Sequence, residues 1–112
     1  MAKNIPYHLI PKDLSLTDET ITHGAERFGT PLYIYDQSML EKNWKELTNH
    51  LPDAVKVYYS VKANPSLAII QTFAKLGANF EVASIGELKA VQRVGVSPSH
   101  IIFVGPGKTN YE

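Results

Sequence analysis

The sequence predicts an α/β fold, the N-terminal portion of a (β/α)₈ barrel of the TIM type, because strand-like and helix-like segments alternate along it. Four apolar, β-rich runs recur at intervals of 22–24 residues. The segments between them carry apolar side chains at helical spacing, so we expect adjacent parallel strands joined by right-handed crossovers. An open doubly wound sheet is the alternative, although no glycine-rich turn follows the first run. The four runs are Leu32–Tyr35, Val55–Val61, Asn79–Ala83 and Ile101–Val104.

Capping residues predict where the helices around these runs begin and end. A capping-box pattern at Ser15–Asp18 predicts the start of a first helix, and Gly29 followed by Pro31 predicts its end. The second expected helix carries an apolar stripe and ends at Pro52; the stripe is formed by Leu40, Trp44, Leu47 and Leu51. The third is expected to begin at Asn64 and end at Gly77, and the fourth to begin at the capping box Ser84–Glu87 and end at Gly95.

Composition favours one soluble globular domain. The 112 residues are 44% hydrophobic with a formal net charge of zero, which argues against disorder and against a nucleic-acid binder. The absence of Cys excludes a thiolate metal site, and the four His lack metal-ligand spacing, so no metal is expected. No apolar run approaches the ~20 residues that span a bilayer, and the N-terminus has no secretory signal. We therefore expect a cytoplasmic protein that does not contact membranes.

The expected organisation is a lead-in with one helix over residues 1–31, followed by the first β/α units of a barrel over residues 32–112. Residues 109–112 form a capping-box pattern with no helix after it. Because a (β/α)₈ barrel typically needs about 250 residues, we expect this chain to be an N-terminal piece of a larger protein.

Lys62 is the strongest candidate for chemistry. It follows the second β-rich run, and active sites of parallel α/β folds are built where strands end. Strand alternation places Lys62 on the same face as Ser60 and Tyr58, with Val61 on the opposite face. If helices cover the Val61 face, the amine points into the barrel mouth, where partial desolvation would favour the neutral amine that attacks aldehydes. The alternative is a strand-end lysine that extends into solvent.

Glu81 ends the next β-rich run and is the second candidate. A carboxylate there can pair with Lys62 or contact a bound ring, whereas a solvated strand-end acid is the alternative. Ser84 and Glu87 are explained by helix capping. The Gly105–Lys108 turn is too short for a phosphate-binding loop.

The segment Tyr59–Asn64 resembles the cofactor-lysine motif of fold-type III pyridoxal-phosphate decarboxylases, the group that includes diaminopimelate, ornithine and arginine decarboxylases. Gly77–Leu88 resembles the second motif of this family. Gly29–Asp36 is similar to a strand typical of diaminopimelate decarboxylases, and Ile101–Thr109 to the strand and turn that follow the second motif. Alanine racemases share the barrel and a Lys-Ala-Asn core, but the continuation Pro65–Ala68 favours the decarboxylases.

The resemblance implies a barrel of the alanine racemase-like or decarboxylase kind that binds pyridoxal 5′-phosphate. By this resemblance Lys62 forms the Schiff base with the cofactor, and Ser60 corresponds to a small residue close to it. Glu81 stands where the family often has Asp, and Glu87 corresponds to an acidic residue near the site.

The implied activity is that of a carboxy-lyase acting on a small-molecule amino acid, with a homodimer as the expected full-length assembly and no activity expected from this stretch alone. Conversion of meso-diaminopimelate to L-lysine, a step of lysine biosynthesis, is the first expectation because of the segment Gly29–Asp36. A decarboxylase of another basic or carrier-bound amino acid stays open. So do a barrel protein that binds pyridoxal phosphate without decarboxylating and a non-catalytic homologue that binds partners.

Overall fold

The computed structural model of the protein describes residues 15–105 and 108–110. The chain divides at Leu40 into two compact units. Predictions for residues 1–14, 106–107 and 111–112 lie outside the described residues. The helices are α1 (Asp18–Phe28), α2 (Gln37–Asn49), α3 (Leu67–Lys75) and α4 (Ile85–Arg93), and the strands are β1 (Tyr58–Ser60), β2 (Asn79–Val82) and β3 (Ile101–Phe103), with single 3₁₀ turns at Val61–Ala63 and Pro98–His100.

Helix α1 begins at a different residue from the one the sequence suggested. Its N-cap is Thr17, whose hydroxyl accepts a hydrogen bond from the Thr20 backbone N–H at 3.2 Å. The capping box expected at Ser15 is therefore wrong, because the Ser15 hydroxyl donates to the Asp36 carboxylate instead. The predicted end is confirmed: Gly29 has φ 81°, a conformation that favours glycine, and its N–H bonds to the Ala25 carbonyl.

Asp36 caps helix α2. Its Oδ1 atom accepts hydrogen bonds from the backbone N–H groups of Ser38 at 2.9 Å and Met39 at 3.4 Å, which are otherwise unpaired in the first turn. Its Oδ2 atom accepts from the Ser15 backbone N–H at 3.2 Å and from the Ser15 hydroxyl. The hydrogen bond from the Ser15 side chain, followed by that from the Ser38 side chain, lowers the pKa of Asp36 from 3.8 to about 2.

The run Leu32–Tyr35 is not a strand, which corrects the first of the four strand predictions. Within the described residues it pairs with no other segment, and Tyr33 is 87% exposed. A β-rich composition favours an extended backbone, but a strand forms only where a neighbouring strand accepts its hydrogen bonds. The other three predicted strands are present, although β1 is shorter than the apolar run that predicted it.

The three strands form a parallel sheet in the order β1–β2–β3, which confirms the predicted parallel arrangement. Ser60 lies beside Glu81, and Glu81 beside Ile102, so these three side chains share one face. The alternate residues Phe80 and Val82 face the other way and are fully buried. The sheet therefore has one covered face and one more open face, on which Ile102 remains 40% exposed.

Helices α3 and α4 supply the cover over the Phe80 face. From α3, Ile70 is fully buried and the Phe73 ring stacks on Tyr59 of β1 with centroids 4.2 Å apart. From α4, Val91 is fully buried. Gly77 and Gly95 end the two helices with φ 78° and 86°, as their positions predicted. Such one-sided cover on a parallel sheet is the arrangement of successive units of a (β/α)₈ barrel.

The hydrogen bonds from Ser15 generate a testable prediction for the pKa of Asp36. Because the folded-state pKa lies below the ordinary value, ionised Asp36 stabilises the fold above pH 3.8, and this contribution is lost as the pH falls towards about 2. The substitution Ser15→Ala removes the largest cause of the shift, so the pKa of Asp36 should rise towards its ordinary value. An NMR titration of the side-chain carboxyl carbon would measure it. Ser99→Ala is the control, and an unchanged Asp36 midpoint in Ser15→Ala would contradict the assignment.

Candidate active site at the carboxyl ends of β1 and β2

Lys62 lies directly after β1, in the 3₁₀ turn Val61–Ala63, which we name the Lys62 turn. Val61 is fully buried on the helix-covered side of the sheet. The Lys62 side chain is 67% exposed, so the burial expected from the sequence is not supplied by the described residues. The prediction that Val61 and Lys62 face opposite sides of the sheet is confirmed, and the Lys62 amine lies at the carboxyl edge of the sheet.

Glu81 brings a carboxylate to the Lys62 amine. Its Oε1 atom lies 3.7 Å from Lys62 Nζ, and its side chain is only 19% exposed. The two residues meet because Glu81 is the register neighbour of Ser60, two positions before Lys62. The structure thus brings together the two side chains that the sequence suggested as a pair. An ion pair this exposed on the lysine side is worth at most about 1 kcal/mol, so it orients the amine more than it stabilises the fold.

Ser60 completes the group with an unusual hydroxyl. Its Oγ atom is buried, and no hydrogen-bond partner lies within reach among the described residues. A buried polar atom without a partner costs about 1–3 kcal/mol, and most such atoms in native proteins are bonded to protein or water. Because Ser60 shares a face with Glu81, this unused hydroxyl belongs to the same side of the sheet as the ion pair.

Glu87 serves the helix that follows β2. The Ser84 hydroxyl accepts from the Glu87 backbone N–H at 3.2 Å, and Glu87 Oε2 accepts from the Ala83 backbone N–H at 2.8 Å. This is a capping-box arrangement, so the capping explanation for both residues is confirmed. The cap fixes the direction in which the chain leaves β2 immediately after Glu81.

Three hydrogen bonds near the strands have no counterpart among the sequence predictions. The Tyr59 hydroxyl donates to the Asn64 carbonyl oxygen at 3.1 Å, across the Lys62 turn. At the opposite end of the sheet, Asn79 Nδ2 donates to the Val57 carbonyl oxygen at 3.2 Å, and Asn79 Oδ1 accepts from His100 Nδ1 at 2.8 Å. For the bond between Tyr59 and Asn64, the only signal in the sequence was that the two residues lie five positions apart across the end of β1. The bonds of Asn79 depend on which strands are neighbours in the sheet.

Clefts in the second unit lie elsewhere. Two surface clefts of about 350 and 340 Å³ adjoin Gly77, near the amino ends of the strands, and Lys62 lines neither. Among residues 15–105 and 108–110, no three His, Asp or Glu side chains are grouped as a metal site would require. Over the same residues, the helices are too short or too polar to cross a bilayer. Around Lys62, the described residues supply one wall of a site, formed by the open face of the sheet.

A known protein family matches the whole of this second unit. The family described as "Pyridoxal-dependent decarboxylase, pyridoxal binding domain" matches residues 37–112, a range that includes Lys62, Ser60 and Glu81. The chain belongs to this family. The match confirms the family expected from the motifs around Lys62 and Glu81.

Individual relatives are named for different substrates. The diaminopimelate decarboxylase of Vibrio cholerae is 40% identical over 89 residues, covering 79% of this chain and 21% of that protein. The L-glutamyl-(BtrI acyl-carrier protein) decarboxylase of Niallia circulans is 37% identical, covering 88% of this chain and 23% of that protein. The chain therefore spans less than a quarter of the length of these two curated relatives.

Solved structures share the fold as well as the sequence. The lysine/ornithine decarboxylase of Vibrio vulnificus, whose crystal structure contains cadaverine, superposes with a TM-score of 0.77 at 30% identity. The superposition covers 83% of this chain and 25% of that one. The parallel strands and their helices thus have the arrangement found in a decarboxylase of this family.

The unpartnered hydroxyl of Ser60 leads to a prediction about the protein without ligand. Ser60→Ala removes a buried group that makes no hydrogen bond to the described residues, so the free energy of unfolding should stay the same or rise by up to about 1–3 kcal/mol. Ser84→Ala is the matched control, because it removes a helix cap and should lower that free energy by about 1 kcal/mol. Urea denaturation measures both. A loss in Ser60→Ala equal to that in Ser84→Ala would mean that the Ser60 hydroxyl has a partner in the folded protein.

Proposed function

We propose that the protein containing this chain is a pyridoxal-phosphate-dependent amino-acid decarboxylase, with Lys62 as the lysine that binds the cofactor. The observation that carries the proposal is the exposed Lys62 amine at the carboxyl end of β1, 3.7 Å from the Glu81 carboxylate, in a chain of the pyridoxal-dependent decarboxylase family. An amine at this edge of a parallel sheet is accessible to an aldehyde, whereas one on the helix-covered face would be blocked.

The residues on the open face fit such a cofactor. Pyridoxal phosphate offers an aldehyde and several polar ring substituents, so its site needs a reactive amine and hydrogen-bonding groups. Lys62 supplies the amine, and Ser60 has a buried hydroxyl that makes no hydrogen bond within the part of the chain that the structure describes. We therefore propose Lys62, Ser60 and Glu81 as cofactor-binding residues, with Lys62 also catalytic.

The chemistry divides between the cofactor and the chain. When bound, pyridoxal phosphate supplies an aldehyde that takes up the substrate amine and a conjugated ring that withdraws the electron pair left when CO₂ departs. Lys62 is the residue that would hold the cofactor aldehyde, through its Nζ atom, until a substrate amine takes that place. Glu81, whose carboxylate lies 3.7 Å from Lys62 Nζ, would keep the released Lys62 amine on the open face. Ser60 donates or accepts one hydrogen bond at the cofactor.

We propose meso-diaminopimelate as the substrate and L-lysine as the product. Support comes from the similarity to the Vibrio cholerae diaminopimelate decarboxylase and from the segment Gly29–Asp36. A carrier-bound glutamyl group is the second candidate, because the Niallia circulans relative, named for that substrate, is similar to this chain at nearly the same identity. A homodimer and a cytoplasmic location stay predictions.

The cofactor assignment predicts where a reduced adduct forms. The full-length protein treated with pyridoxal phosphate and then borohydride should carry the adduct on Lys62, as located by peptide mass spectrometry. Lys62→Ala and Lys62→Arg should both lose the adduct and lose turnover by orders of magnitude, because a guanidinium stays protonated and cannot form a Schiff base.

Matched controls for this prediction are Lys56→Ala, Lys75→Ala and Lys89→Ala, three exposed lysines of the same unit. Each should retain the adduct and near-normal turnover. An adduct mapped to one of these lysines, or near-normal decarboxylation by Lys62→Arg, would overturn the assignment.

The proposed substrate predicts which amino acid is decarboxylated fastest. Purified full-length protein with pyridoxal phosphate should release CO₂ fastest from meso-diaminopimelate and form L-lysine, when compared with lysine, ornithine and carrier-bound glutamate at equal concentration. Faster release from carrier-bound glutamate would move the assignment to the second candidate. A Schiff-base absorbance band without CO₂ release from any amino acid would indicate a pyridoxal-phosphate-binding protein that is not a decarboxylase.

A further inference from the structure

We infer that Tyr59 is a positioning residue for Lys62: its hydroxyl, bonded to the Asn64 carbonyl oxygen, holds the Lys62 turn in place and so sets where the Lys62 amine reaches. The inference rests on the proposed function, because it concerns the reactivity of the same amine. It assigns a task to a side chain on the helix-covered side of the sheet, away from the face that carries Ser60 and Glu81.

The Lys62 turn has little stability of its own. It is one 3₁₀ turn inserted between two extended residues, Ser60 with φ −82° and ψ 110° and Asn64 with φ −159° and ψ 108°. A single 3₁₀ turn has poor hydrogen-bond geometry, and its few hydrogen bonds do not compensate for the conformational entropy that the backbone loses. Its conformation therefore depends on contacts made by the residues around it.

Three contacts hold the turn: one at the residue before it, one at its first residue and one at the residue after it. The sheet ladder holds Ser60 beside Glu81, and the buried side chain of Val61 anchors the first residue of the turn. The far end is held by the Tyr59 hydroxyl, which donates to the Asn64 carbonyl oxygen at 3.1 Å. That bond is the contact that closes the segment from Tyr59 to Asn64 around Lys62.

The Tyr59 ring is a rigid arm for this bond. It stacks on Phe73 of α3, with centroids 4.2 Å apart and an interplanar angle of 22°, and meets Phe80 of β2 edge-on at 6.1 Å and 80°. Aromatic pairs in these geometries resist displacement. The hydroxyl thus ties the turn to a packed core built from a helix and a strand.

The Lys62 side chain cannot supply this precision itself. It is 67% exposed, and its amine pairs with the Glu81 carboxylate at 3.7 Å, a kind of contact that contributes little to stability and is screened by salt. Reaction of an amine with an aldehyde is sensitive to displacements of about 1 Å, which can lower a rate by about a hundredfold. The position of the amine therefore depends on the backbone of the turn, and the backbone on Tyr59.

The test measures reactivity separately from stability. Full-length Tyr59→Phe keeps the ring and loses only the hydroxyl. Apoprotein is mixed with pyridoxal phosphate, and the rate at which the Schiff-base absorbance band appears is recorded, with the adduct mapped after borohydride reduction. We expect a rate roughly ten- to a hundredfold below wild type, with the adduct still on Lys62. The unfolding midpoint of each variant is measured alongside.

Two controls separate positioning from general weakening. Val91→Ala removes a fully buried side chain of α4 and should lower the unfolding midpoint at least as much as Tyr59→Phe while reacting at the wild-type rate. Tyr33→Phe makes the same chemical change on a side chain that is 87% exposed, and should change neither quantity. A wild-type rate in Tyr59→Phe, or an equal slowing in Val91→Ala, would overturn the inference.

A second variant decides the question if Tyr59→Phe does not fold. Ala63→Gly adds backbone freedom to the Lys62 turn without touching Tyr59, and should also slow the appearance of the band. A wild-type rate in that variant would overturn the inference. Failure of the proposed function is distinguishable, because the wild-type protein itself would then form no band or would carry its adduct on another lysine.

Discussion

The alternation of buried and open side chains along β2 is the constraint on which the candidate site depends. Phe80 and Val82 are fully buried under the helices, so Glu81 between them must face the other way. A shift of one residue in register would bury the carboxylate and expose both apolar side chains, which is strongly unfavourable. The hydrophobic core thus determines the side of the sheet on which a charged group is available.

The same constraint operates at the end of β1, where the chain changes from strand to turn. Val61 goes into the core, and Lys62, the next residue, remains two-thirds exposed. Parallel register then sets Ser60 beside Glu81, so that residues far apart in sequence meet at one edge. No long-range attraction between Lys62 and Glu81 is needed to assemble the pair, because the apolar residues next to each of them have already placed both.

Most features that depend on local sequence could be predicted, although the N-cap of α3 is Ser66 and not the expected Asn64. The helix ends at Gly29 and Gly95 and the cap at Ser84 follow from nearby residues alone. The meeting of Lys62 and Glu81 followed from the regular spacing of the parallel strands.

Predictions failed where a distant partner decides the outcome. Ser15 does not cap α1 because Asp36 accepts its hydrogen bond from 21 positions further along the chain. Leu32–Tyr35 has the composition of a strand but lacks a pairing strand among the described residues. The Ser60 hydroxyl lacks a partner among residues 15–105 and 108–110 because of what surrounds it, which a sequence pattern does not record.

The hydrogen bonds of Asn79 lie at the end of the sheet opposite the candidate site. At the end remote from Lys62, the Asn79 amide links the segment before β1, through Val57, to His100, which precedes β3. These hydrogen bonds support the strand alignment that the buried core requires, and they do not involve Ser60 or Glu81. Substitutions at Ser60 or Glu81 therefore leave these alignment contacts intact, so the Lys62 end of the sheet can vary in sequence while the strand register is inherited unchanged.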